Sequence, residues 1–197
     1  DEKLLRAYQN RFPGVIRYIT VSPEVPGVVD MIGKISQDVT VAIGHSGADY
    51  DTSMEAIRRG ARCVTHTFNA MRLFHQHQPA IMGAALESDC LCEAICDGRH
   101  LHPGTVRMLL KCKGWDRVIA ITDSIMAAGL PDGNYKLGVN DVVVRDGDAV
   151  LASNAVRAGS TLTLAQALRN IVAFTDHPVQ DLSPLMTANP AKALRMD

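Results

Sequence analysis

The chain has 197 residues, 20 Lys and Arg against 21 Asp and Glu, a net charge of −1 and a hydrophobic share of 47%. That balance gives no broad positive field for nucleic acid or an anionic membrane surface, and no apolar run approaches the roughly 20 residues that cross a bilayer. It suits one or two globular domains with a sizeable core and a cytoplasmic, non-membrane setting.

In chain order, residues 1–11 read as a helix, 15–21 as a strand and 28–36 as a helix. The pattern then predicts strand 39–44, helix 51–59, strand 62–66, a long loop with a short helix near 81–87, strand 91–96, helix 104–112 and strand 117–122. The strands are apolar on both faces, as in a parallel sheet covered by helices. The texture changes at Pro131-Asp132-Gly133-Asn134, a turn signal. Short strands follow at 135–139, 141–145 and 149–152, with Asp146-Gly147 as a hairpin turn. Helical patterning returns at 161–174 and again near 182–187 and 191–194. These shifts divide the chain into 1–130, a partial (β/α) unit; 131–156, a short β segment; and 157–197, a return to helices, in either an open α/β sheet or the carboxyl-terminal part of a longer barrel.

Four strand-like segments end on a residue able to bind a metal or carry a proton: His45, His66, His100 and Asp123. In a parallel sheet these ends lie on one side, where α/β enzymes place their chemistry. A lone strand-end histidine is more often a hydrogen-bonded structural residue than a ligand, and an aspartate there can merely cap a turn. The recurrence at four consecutive strands favours a metal-assisted enzyme.

Five cysteines, an odd number without paired-ligand spacing, argue against a disulfide framework and suit a reducing compartment. Cys90, Cys92 and Cys96 lie at even steps along one predicted strand, so they cannot readily turn toward a common metal. They are expected to be buried as small apolar side chains.

Longer motifs carry more weight. Gly44-His45-Ser46-Gly47-Ala48 closes one strand and Thr65-His66-Thr67-Phe68-Asn69-Ala70-Met71 the next, with the histidines 66 − 45 = 21 residues apart. Asp97-Gly98-Arg99-His100 and Thr122-Asp123-Ser124 close the following two. With Thr20-Val21-Ser22-Pro23-Glu24 before them, and Gly159-Ser160-Thr161 and Asn189-Pro190-Ala191 after, they resemble the N-acetylglucosamine-6-phosphate deacetylases of the amidohydrolase superfamily across nearly the whole chain.

The resemblance implies a (β/α)8 TIM-type barrel, here lacking its first strands, with a small β-sandwich element and normally a homodimer. It places His45 and His66 on the two metal-ligating histidines, for Zn²⁺ or Fe²⁺, and Asp123 on the catalytic acid/base. Asn69 and Ala70 fall on the segment that holds the substrate phosphate. Asp97, Gly98, Arg99 and His100, with Arg157, Ala158 and Gly159, fall on the lining of the sugar site.

Two family features are missing. No His-x-Glu-Gly-Pro motif supplies a third metal ligand, which is therefore expected among residues before Asp1. His77-Gln78-Pro79-Ala80 stands where the family carries a phosphate-binding arginine, and a histidine is a weaker, pH-dependent partner for a dianion. Arg72, His75 and His77 can share the role. The implied reaction is deacetylation of N-acetylglucosamine 6-phosphate. The alternatives are the galactosamine isomer, another amidohydrolase substrate, or an inactive fragment.

Overall fold

The computed structural model describes residues 1–196. Strands β1 (Tyr18–Val21), β2 (Thr40–Ile43), β3 (Ala61–Val64), β4 (Leu91–Ile95) and β5 (Val118–Ile121) form one parallel sheet in the order β1-β2-β3-β4-β5. Helices α2 (Val28–Ile35), α3 (Tyr50–Arg58), α4 (Ala80–Glu87) and α5 (Pro103–Lys113) connect them, and α1 (Glu2–Arg11) precedes them. A sequential order with no reversal means that each right-handed crossover steps the same way, so the linking helices gather on one face.

Side-chain alternation divides the sheet accordingly. Val41, Ile43, Cys92, Ala94, Val118 and Ala120 face the main core with Ile35, Ile81 and Leu109. Ala42, Cys63, Leu91 and Ile119 form a second cluster against Tyr18 and Ala193. Each fully buried Ile, Leu or Val contributes about 1.5–3 kcal/mol. The helices start where polar side chains catch free N–H groups: Asp49 accepts from the Thr52 N–H at α3, and His102 precedes Pro103 at the start of α5. The α4 segment, read from sequence as a short helix within a loop, is buried from Ala80 to Ala85.

β6 (Gly133–Leu137), β7 (Asn140–Arg145) and β8 (Asp148–Leu151) make a separate antiparallel sheet. Arg145 pairs with Asp148 across the two-residue turn Asp146-Gly147, where both residues have positive φ, the requirement of a type I′ hairpin. Gly133 and Asn134 belong to β6 rather than to a turn. Asp132 instead accepts hydrogen bonds from the Asp146 and Gly147 N–H groups, tying the start of the sheet to its hairpin. In place of a sandwich the described residues form one three-stranded sheet, its inner face packed on Ile125, Ala127 and Ala158.

The chain then returns through α6 (Leu164–Thr175), α7 (Val179–Leu182), a 3₁₀ turn at Ser183–Met186 and α8 (Ala188–Ala193). The predicted helix near 182–187 is thus split between the end of α7 and the 3₁₀ turn, as Pro184 cannot continue an α-helical ladder. A TIM barrel closes with eight parallel strands; the described residues supply five, and the sheet is open between β1 and β5. A parallel bridge between Ser124 and Ser160 continues the pattern beyond β5. Among the described residues no helix is long and apolar enough to cross a membrane. Cys63, Cys90, Cys92 and Cys96 are buried and free, and burial pushes the Cys63 and Cys96 thiols up to about 12, which leaves them inert.

Candidate active site

His45 and His66 each stand two residues beyond the end of a strand, on the neighbouring β2 and β3. Both have positive φ, 48° and 30°, a conformation in which a non-glycine residue is strained and which clusters at functional sites. Gly44 lets the strand ends come this close: a Cβ there would meet the Thr65 Cβ at 2.7 Å. Glu24 fixes the loop after β2, accepting from the Ser46 hydroxyl at 2.7 Å and the Gly47 N–H at 2.6 Å.

The two rings meet edge to face, centroids 4.5 Å apart, with their Nε2 atoms 2.8 Å from each other. His45 is exposed and His66 buried. Although the residue as a whole is exposed, partial desolvation of its ring first, then the neighbouring His66 ring, hold His45 below the usual imidazole range, while Asp123 pulls the other way. His45 therefore keeps a free lone pair at neutral pH, the form that binds metals. The His66 Nδ1 is buried without a hydrogen-bond partner. Two nitrogens bound to one zinc at about 2.0–2.1 Å stand about 3.3 Å apart, so the pair fits as part of a ligand set after opening by roughly half an ångström. Among the described residues no third His, Cys, Asp or Glu completes a metal cluster.

Asp123 follows β5, also with positive φ, and its charge is felt at both His45 and Glu93. Its backbone is held tightly. The Ser160 N–H donates to the Asp123 carbonyl at 2.8 Å and the Ile125 N–H to the Ser160 carbonyl at 2.9 Å. A Cβ on Gly159 would lie 2.7 Å from Ile125 Cγ2 and 2.8 Å from the Asp123 carbonyl oxygen, at φ +61°. In this arrangement Gly159 shapes the seat of Asp123. Gly159→Ala is expected to cost about 1–3 kcal/mol through overpacking and a strained φ. Urea denaturation checks this, and an unchanged midpoint would contradict the close packing.

Asp97 and His100 form a second group beyond β4. Asp97 Oδ1 accepts from the Arg99 and His100 N–H groups at 2.8 and 2.7 Å, and its Oδ2 lies 2.6 Å from His100 Nδ1. Burial acts to raise the Asp97 carboxyl, but the bonds from His100 and Arg99 outweigh it and hold it below the usual range. The pair leaves His100 Nε2 as the ring's free polar atom. Gly98, at φ +77°, makes the turn between them.

Arg157 is engaged elsewhere. It forks onto Asp148 at 2.8 and 2.9 Å and donates to the Arg99 carbonyl at 3.2 Å. Arg99 in turn donates to the Asp146 carbonyl. This lattice joins the small sheet to the loop after β4, with the guanidinium of Arg157 at its centre. Ala158 is buried, its N–H donating to the Ala149 carbonyl at 3.0 Å. Asp97 and Arg99 also line a pocket of about 430 Å³ with Thr161, Gln166 and Asn170.

The loop after His66 holds the remaining candidates. Asn69 turns back to donate to the His66 and Thr67 carbonyls at 3.2 and 3.4 Å, leaving its carbonyl oxygen free. Ala70 is exposed with positive φ. His77 is exposed beside His75, ring centroids 5.3 Å apart. Sequence reasoning overlooked Glu93, whose carboxylate lies inside the sheet under His66. A charged residue in the otherwise apolar run of β4 was the signal available.

No family model matches the chain. Curated relatives do. It is 37% identical over 198 residues to the N-acetylglucosamine-6-phosphate deacetylase of Lysinibacillus sphaericus, covering 100% of this chain and 51% of the relative. It is 33% identical over 184 residues to the N-acetylgalactosamine-6-phosphate deacetylase of Escherichia coli O157:H7, covering 92% and 48%. A Mycobacterium smegmatis N-acetyl-D-glucosamine-6-phosphate deacetylase variant, solved with N-acetyl-D-glucosamine-6-phosphate, superposes with TM-score 0.94 at 34% identity, covering 100% of this chain and 53% of that one. The chain spans about half the length of the relatives it matches.

Proposed function

We propose that this chain, a relative of the N-acetylglucosamine-6-phosphate deacetylases along its whole length, forms five strands of a (β/α)8 metal-dependent amide hydrolase. Its segments 1–130 and 157–197 belong to that barrel and 131–156 to the β element. The reaction is hydrolysis of N-acetylglucosamine 6-phosphate to glucosamine 6-phosphate and acetate. The observation that carries this reading is the convergence of the His45 and His66 Nε2 atoms within the field of Asp123.

An amide is a poor electrophile and its amine a poor leaving group. A Zn²⁺ or Fe²⁺ bound at His45 and His66 supplies a water of lowered pKa and polarises the carbonyl. Asp123 takes the proton from the attacking water and delivers it to the amide nitrogen as the C–N bond breaks. His100, oriented by Asp97, presents Nε2 to the sugar or its acetyl group, with Gly98 and Arg99 shaping that wall. Arg157, Ala158 and Gly159 back the sugar site. Asn69, Ala70 and His77 take the phosphate. The exposed Leu73 and Phe74 beside His77 suit contact with a second copy of the chain in a homodimer.

The metal-loaded protein is expected to release acetate and a primary amine in equal amounts from N-acetylglucosamine 6-phosphate. Faster release from the galactosamine isomer would reassign the sugar, and no release from either would favour the inactive-fragment alternative. His77→Arg is expected to lower KM for the 6-phosphate with kcat little changed, because the contact is remote from the scissile amide. Steady-state kinetics of the two proteins at one pH check this, and an identical KM would remove His77 from the phosphate site.

A further inference from the structure

β3 stops pairing with β4 at Val64 and Cys92, and the chain then swings out so that His66 adopts φ 30°. Past that point the ladder offers the His66 N–H no backbone acceptor, and the interior of a sheet offers little water. The Glu93 side chain stands in for one: its Oε2 accepts from the His66 N–H at 3.3 Å. Its other oxygen, Oε1, accepts from the Tyr18 hydroxyl at 2.6 Å, across the sheet from β1. The Glu93 carbonyl accepts from the Thr67 N–H at 2.8 Å, so one residue grips the chain on both sides of the His66 ring.

We infer that Glu93, braced by Tyr18, is a positioning residue that holds the His66 backbone in its left-handed turn and thereby aims the His66 ring at His45. The inference rests on the metal-site reading above. His66 Nδ1 has no partner of its own, so the usual means of orienting a ligating imidazole, a bond to its second nitrogen, is absent here. The backbone grip takes its place. Glu93→Gln should preserve the grip, since the amide oxygen accepts from His66 and the amide nitrogen donates to the Tyr18 oxygen. Glu93→Leu fills the same space and can accept neither bond.

Zn²⁺ affinity by competition with a chromogenic chelator, and the visible spectrum of the Co²⁺ form, read the geometry without using turnover. Glu93→Leu is expected to lose about 10–100-fold in Zn²⁺ affinity, as losses of orienting partners do, with altered Co²⁺ bands. Glu93→Gln should stay within about threefold of wild type. Tyr18→Phe should fall between them, and adding it to Glu93→Leu should change nothing further, because Tyr18 acts through Glu93. If Glu93→Leu does not fold, Tyr18→Phe and Glu93→Gln carry the comparison. Wild-type affinity and spectrum in both Glu93→Leu and Tyr18→Phe would overturn the inference alone. Wild-type protein that takes up no Zn²⁺ would overturn the metal-site reading and this inference with it.

Discussion

Asp123→Asn is expected to lower kcat by about 10²–10⁴, the contribution of a positioned acid–base group, while metal content and melting temperature stay at wild-type values. The substitution isolates the proton-transfer role for structural reasons. Asp123 is exposed, so loss of its charge leaves no buried group unpaired. Its positive φ is one that Asn accepts as readily as Asp. Its carbonyl is held by the Ser160 N–H, a bond the side chain does not enter. An amide can neither take the proton from water nor return it to the amine. Turnover within a few-fold of wild type would reduce Asp123 to a residue that caps the turn after β5.

The parallel sheet was legible in the sequence because each strand is a short apolar run between helical patterns, and β2, β4 and β5 lie within one residue of their expected spans. Errors fell where pairing rather than composition sets the end. β1 begins at Tyr18, not at 15, because Val15 bonds back to Phe12 in a turn and only residues from Tyr18 onward pair with β2. The strand-end residues could be read as candidates one by one. Their strained backbones could not, because positive φ at His45, His66 and Asp123 goes with tertiary contacts such as the Ser160 N–H on the Asp123 carbonyl. Arg157 illustrates a further limit: the resemblance set it in the lining of the sugar site, and the structure forks its guanidinium onto Asp148, a pairing that the motif itself does not reveal. The ion pair holds Asp148 below the usual carboxylate range.

His66→Asn is expected to lower metal content after dialysis to below roughly a tenth per chain and to abolish turnover, since a site with one imidazole removed from its ligand set keeps too few donors. Asparagine tolerates the positive φ at this position and retains the backbone N–H that Glu93 accepts from, so the fold should survive the loss of the ring. The same ligand set predicts a sign for pH. His45 is held below the usual imidazole range, first by burial and then by His66. Protons therefore compete with the metal at His45 only at more acid pH than they would at an ordinary imidazole. Metal occupancy should hold from pH 8 to about 7 and decline at more acid pH as His45 takes up a proton. Occupancy that falls steeply between pH 8 and 7 would mean that a group of higher pKa limits binding, and full metal retention in His66→Asn would move the ion away from the β2 and β3 strand ends.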